Sequence, residues 1–275
     1  MRGASRDSLK QAQESLAALT GMPSTDVTAL SDGLAAVGAA LDGDVSLRRL
    51  LTDPSRDPQQ RAALVAALLT GKLGEPVVDL VAGMVRGRWS QPRDLADAVD
   101  VLATEAELAL AERAGALDAV EDDLFRFGRI LAAEPELAAG LSEHGFSRHG
   151  AAAQRTALVD SLLAGKASPS ALRLIRRLVA APRGRSVVTG VEELSRIAAA
   201  RRERITALVT AAVPLTEAQR ARLSGILARA YGRDIRLNVE LDQELIGGMT
   251  IRIGDDIIDG SIAGRLAEAS RRVSH

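Results

Sequence analysis

Ile235-Arg-Leu-Asn-Val-Glu-Leu-Asp-Gln-Glu-Leu-Ile-Gly-Gly-Met-Thr-Ile-Arg-Ile-Gly254, followed by Asp-Asp-Ile-Ile-Asp-Gly-Ser261, breaks the rhythm of a chain that otherwise reads as helix. Ile235, Leu237, Val239 and Leu241 alternate with polar residues, as do Met249, Ile251 and Ile253, which predicts two half-buried strands. Gly247-Gly248 stands at a strand boundary, where a positive-φ or bulged backbone excludes a side chain. Gly254-Asp255-Asp256 predicts a turn into Ile257-Ile258. Asp259-Gly260-Ser261 then turns the chain, with Ser261 as N-cap of a closing helix. Just upstream, the β-branched run Ile205–Val213 suits a buried strand. Thr216-Glu-Ala-Gln219 has the spacing of a capping box and opens a helix to about Tyr231.

Working outward, residues 1–204 show helical apolar faces. Leu30, Leu34, Val37 and Leu41 share one; Leu95, Val99 and Leu102 another; Leu117, Val120, Leu124, Phe127 and Leu131 a third. Asp57-Pro58 and Ser168-Pro169 place a capping oxygen before a proline at the first helical position. Gly71, Gly74 and Gly165 mark expected helix ends. About eleven helices are predicted. They also repeat: Leu34, Val37, Gly38, Leu41, Leu47 and Leu51 recur at an offset of 90 as Leu124, Phe127, Gly128, Leu131, Leu137 and Leu141. Arg61–Lys72 recurs at an offset of 94 as Arg155–Lys166, with a loop insertion around Ser142–Arg148 absorbing the slip. Val78, Leu80, Val81, Met84 and Val85 match Leu172, Leu174, Ile175, Leu178 and Val179 at that same offset. Two copies of one bundle are the simplest account. The fold class is mainly α, with two related N-terminal helical bundles (1–113 and 114–204) and a small C-terminal α/β domain (205–275).

Composition bounds the function. Aromatic residues make up 2% of 275, so Leu, Val, Ile and Ala must fill the core. The chain has no cysteine, which excludes disulfides and thiolate metal sites. No apolar run approaches the ~20 residues of a membrane span, and the N-terminus lacks the apolar core of a signal peptide; a soluble, cytoplasmic chain is expected. Net charge is −1, unevenly spread. Residues 94–136 hold twelve acidic and three basic side chains, and residues 155–204 eleven basic and four acidic. These blocks read either as solvated faces or as surfaces that dock on partners or on each other. Neither carries the interleaved aromatics of single-strand nucleic-acid binding.

No catalytic constellation emerges. Gly71-Lys72 and Gly165-Lys166 lack phosphate-loop spacing and read as helix caps. His144, His149 and His275 do not share a helix face with carboxylates at metal-ligand spacing. Asp255, Asp256 and Asp259 lack the spacing of a calcium loop, and Gly247-Gly248 lies between two strands, against a dinucleotide role. Trp89 is either core packing or an exposed anchor. Catalytic, cofactor and metal sites are all expected to be absent.

The C-terminal segment resembles the delta subunits of F-type ATP synthase, the oligomycin-sensitivity-conferring protein family. The resemblance is carried by Ile235, Leu237, Leu241, Asp242, Leu245, Gly247, Gly248, Met249, Ile251, Arg252 and Gly254, then by Ile258, Asp259, Gly260, Ser261 and Leu266. Val213-Pro214-Leu215-Thr216 looks like the family's entry into this domain, and the likeness reaches back to about residue 115. Family members usually carry one six-helix bundle; a duplicated bundle is similar to actinobacterial forms. The resemblance implies a non-catalytic connector of the peripheral stalk (stator), at the cytoplasmic face of the cell membrane and touching the membrane only through the complex. It implies as partners the N-terminal tails of the alpha subunits and the C-terminus of a separate b subunit. It also makes Leu241, Asp242, Leu245, Gly247, Gly248, Ile251, Gly254, Asp259, Gly260 and Ser261 the stalk-docking region. The other reading of the residues is a helical regulatory or scaffold protein that binds different partners through its charged blocks.

Overall fold

Asp57 caps the helix that begins at Pro58, its carboxylate accepting the Gln59 amide at 2.8 Å and the Gln60 amide at 3.3 Å. Local signals of this kind divide the helical part of the chain, of which a computed structural model describes residues 3–142, 151–204, 206–231, 235–242, 245, 247–254 and 256–260 in all. The helices are α1 (Ala4–Gly21), α2 (Val27–Gly43), α3 (Val45–Thr52), α4 (Pro58–Leu69), α5 (Glu75–Arg86) and α6 (Pro92–Arg113). They continue as α7 (Leu117–Ala133), α8 (Pro135–Leu141), α9 (Ala151–Leu163), α10 (Pro169–Ala180) and α11 (Val187–Arg204). Gly71 and Gly165 end α4 and α9 at φ 80° and 72°. Two local expectations differ. Gly74 is the N-cap of α5 and not a helix end. Ser168 occupies the N-cap of α10, but its hydroxyl makes no capping bond; its amide instead donates to Asp123 Oδ2 at 2.6 Å. The proposed insertion after Ser142 lies outside the described residues.

The chain forms two compact units, Met1–Ala198 and Ala199–His275, and the boundary falls inside α11. Within the first unit the helix pairings recur. α4 packs on α5 as α9 packs on α10, α2 on α5 as α7 on α10, and α2 on α3 as α7 on α8. The internal contacts recur with them. The buried Arg61 donates to the Arg86 carbonyl at 3.4 Å, and the buried Arg155 to the Ala180 carbonyl at 3.2 Å, each filling a carbonyl left open at a helix C-terminus. Gly38 of α2 faces Val99 of α6, and Gly128 of α7 faces Val191 of α11.

α6 takes part in both sets of pairings. It packs against α1, α2 and α3, and also against α7 and α10, so it is the last helix of one copy and stands first in the next. The expected division after Arg113 coincides with the end of α6, but both helical copies lie within Met1–Ala198. Leu95, Ala96, Val99, Leu102, Ala106 and Leu108 of α6 are all fully buried.

One carboxylate breaks this apolar surround. Glu107 is 0% exposed and receives two hydrogen bonds from Arg173, at 3.0 and 2.7 Å, and one from Ser31 at 3.0 Å. Burial by itself pushes its carboxyl up. Hydrogen bonds from Arg173 and Ser170, the Arg173 charge and the Ser31 bond outweigh that and hold it below its ordinary value of 4.5. A second link comes from Arg183, at φ 58°, which pairs with Asp42 of α2 at 2.6 Å and Asp100 of α6 at 2.5 Å.

The second unit holds β1 (Thr206–Ala211), α12 (Glu217–Tyr231), β2 (Arg236–Leu241), β3 (Met249–Ile253) and β4 (Asp256–Asp259) in the sheet order β2-β1-β3-β4. β1 and β2 are parallel, and α12 supplies the crossover that such a pair requires. The capping box forms as read: Thr216 N donates to Gln219 Oε1 at 2.9 Å, and Gln219 N to Thr216 Oγ1 at 3.3 Å. Ala207 and Val209 of β1 meet Ile251 and Ile253 of β3, and these pack with Leu215, Leu227 and Ile235. Gly247 and Gly248 lie at φ 150° and 86° immediately before β3, as the sequence led us to expect. Ile205, Asp255, Ser261 and the closing helix with Leu266 lie outside the described residues.

Both units of this packing can be probed by substitution. Gly248→Val forces a β-branched residue to positive φ and should cost about 2 kcal/mol. It should lower the melting of the second unit while helical circular dichroism persists; unchanged melting contradicts the role. Glu107→Gln should cost about 2 kcal/mol at about pH 7, and because the folded pKa is lowered, the deficit should close as pH falls below the ordinary carboxylate value. Thermal melts across that range check the sign.

Candidate functional site

In the first unit, α1 and α5 stand slightly apart and leave a cavity of about 390 Å³ between them. Small residues make this opening possible, Ala12, Ser15 and Ala18 on one wall and Gly83 on the other, with Leu19 and Met84 supplying apolar surface, while Gly87 lets Ser8 approach closely at one end. One end is tied shut, because Ser8 Oγ accepts the Arg88 amide at 3.1 Å and donates to the Arg88 carbonyl at 2.9 Å. The loop after α1 is fixed by Arg113, whose guanidinium donates to the carbonyls of Thr20, Met22 and Thr25 at 2.7, 2.6 and 2.9 Å. A Cβ added at Gly83 would meet nothing within 4 Å, so the groove is open along α5. An elongated, mostly apolar trough with Asp79 at its rim suits an amphipathic helix.

In the second unit the sequence-predicted docking residues that are described, all but Ser261, lie at one end of the sheet and in the β3–β4 hairpin. Leu241 ends β2 and is exposed; the Asp242 amide donates to the Ala211 carbonyl at 3.1 Å, extending the β1–β2 pairing. The Leu245 amide donates to the Asp242 carbonyl, and Gly247-Gly248 deliver the chain into β3. Ile251 is buried in the sheet core. Gly254 turns β3 into β4 at φ 57°. Asp259 pairs with Thr250 in the ladder, and the Gly260 amide donates to the Met249 carbonyl at 3.0 Å. On β4, Ile257 and Ile258 point to opposite faces and both are exposed.

Trp89 is buried, with its indole N–H on the Met84 carbonyl at 2.9 Å, so it belongs to the core. His144, His149 and His275 lie outside the described residues. Among the described residues no cluster of His, Cys, Asp or Glu could hold a metal, and no helix is long and apolar enough to cross a membrane. Sequence reading did not single out the groove residues Ser15, Asp79 and Gly83, nor Glu107 with its arginines. One available signal was Gly83 inside the valine-rich α5, at the position where the repeat carries Arg177 in α10.

The chain matches the family described as ATP synthase delta (OSCP) subunit over residues 104–273, a span that begins inside α6. It is 52% identical to ATP synthase subunit delta of Streptomyces avermitilis, across 99% of this chain and 98% of that protein. It is 49% identical to the protein of the same name from Streptomyces griseus subsp. griseus, across the whole of both. Among solved structures, a chain of the Toxoplasma gondii mitochondrial ATP synthase hexamer shares 16% identity at a TM-score of 0.35, over 64% of this chain and 97% of that one, too weak a likeness to carry weight. With half of its residues shared with actinobacterial relatives along its whole length, the chain belongs to the ATP synthase delta (OSCP) subunit family and is a peripheral-stalk subunit.

Proposed function

We propose that this chain is a non-catalytic connector that holds the catalytic head to the stalk, at the cytoplasmic face of the cell membrane. The α1–α5 groove takes the amphipathic N-terminal tail of an alpha subunit. The second unit, through the Leu241–Ser261 region, takes the C-terminal end of the b subunit. Bound at both ends, the chain resists the torque of the rotor, so that rotation drives ATP synthesis and does not turn the head.

The observation that carries this reading is the family likeness over the whole chain, and the groove supports the first contact because it is open, elongated and lined by small residues. In the second unit, exposed Leu241 and Ile258 lie on the same face of the sheet by their strand register, giving apolar surface at its two edges. The alternative of a scaffold that works through its charged blocks is weakened by where those charges go. Arg173 pairs with Glu107 and Arg183 with Asp100, so the basic block is partly spent on the acidic one within the first unit.

Calorimetry on the full chain tests the reading. One peptide spans the N-terminal tail of its alpha partner, the other the C-terminal end of its b partner; the two should bind at separate sites without competing. Gly83→Arg fills open space and should weaken the alpha peptide about tenfold or more while leaving b binding unchanged. A well-folded chain that binds neither peptide contradicts the proposal.

A further inference from the structure

The two helical copies differ along the wall that forms the groove. Asp79 and Gly83 stand exposed on α5; at the offset of 94 their places on α10 are taken by Arg173 and Arg177, neither of which is exposed. Arg177 reaches onto α2, donating to Ser31 Oγ at 3.0 Å and to Asp32 Oδ1 at 3.0 Å. Arg173 holds Glu107 on α6, and Ser31 bonds the same carboxylate, so α2, α6 and α10 meet at one buried charge. The opposite wall differs in the same sense. Gln11, Ser15 and Ala18 of α1 are exposed, whereas no residue of α6 from 94 to 111 is.

We infer that α2 is the built-in occupant of the second copy's groove, lying along α6 and gripped from α10 by Arg177, where a partner helix would lie between α1 and α5. The chain therefore offers one groove to a partner helix, and not two. The inference deepens the docking role proposed for the α1–α5 groove and rests on it for the count of sites. It also describes the partner. The closed groove is basic and holds a helix that brings Asp32 and Ser31; the open one carries Asp79 in place of Arg173 and a glycine in place of Arg177. The helix that enters it packs closely at Gly83 and sets a basic side chain near Asp79.

Hydrogen exchange on the free full-length protein tests the seal. Amides of α2 should exchange together with those of α6 and α10, and more slowly than those of α1 and α5. Arg177→Met, which keeps helix propensity but removes the fork, should speed α2 exchange about tenfold while α4 is unchanged. An α2 that exchanges as fast as α1 and ignores the substitution overturns the seal. Titration with the peptide from the N-terminal tail of its alpha partner tests the count. One site per chain, lost in Gly83→Arg, is expected, and two sites overturn the inference. A protected α2 with no peptide bound leaves the seal standing and overturns the docking role of the α1–α5 groove.

Discussion

Because α6 packs against α1, α2 and α3 on one side and α7 and α10 on the other, none of its residues from 94 to 112 is exposed, even though Asp94, Asp97, Asp100, Glu105, Glu107 and Glu112 stand among them. That constraint organises the first unit. Alanines let neighbouring helices approach closely from several directions, and leucines and valines fill the gaps between them. In a helix with so little exposed surface, specific polar contacts fix the orientation. Glu107 supplies one: a carboxylate fully inside the protein is tolerated only where charged and hydroxyl donors surround it, and Arg173, Ser170 and Ser31 do so from α10 and α2. Rotating or sliding α6 would strand that charge.

The same constraint bears on what a component of the stalk must do. A connector under torque has to transmit force without its parts shearing. Two bundles joined by a linker would hinge; two that share a helix cannot move apart without opening a core. The ion pairs that span the copies, Arg183 with Asp42 and Asp100, and Arg177 with Asp32, resist sliding in addition to separation. The uneven charge along the chain is thereby accounted for in part as an internal fit between the acidic α6–α7 stretch and the basic α10–α11 stretch.

Much of this fold was legible because its signals are local. The Asp57 cap, the Thr216–Gln219 capping box, the positive φ at Gly71, Gly165 and Gly248, and the alternating strands each depend on a few adjacent residues. The repeat was legible as well, through Arg61 and Arg155, whose identical task at equivalent helix ends only the structure explains. The shared helix was not legible, since Leu95, Val99 and Leu102 report one buried face and the acidic residues between them gave no sign of a second. The groove was hidden for a related reason: it is a space between α1 and α5, defined by what fails to cover Gly83, and sequence periodicity reports only which faces are apolar. Ser168 shows the limit of local reading, because a distant carboxylate, Asp123, took over the amide contact at its helix start.

Mechanical coupling of head to stalk is the central claim made for this chain. The most direct measurement of it is the ratio of proton pumping to ATP hydrolysis in the complex reconstituted into vesicles, with and without this protein. Omitting the chain should leave hydrolysis by the head intact while pumping collapses, and adding the folded chain back should restore pumping. Pumping that continues undiminished without it would contradict that coupling role.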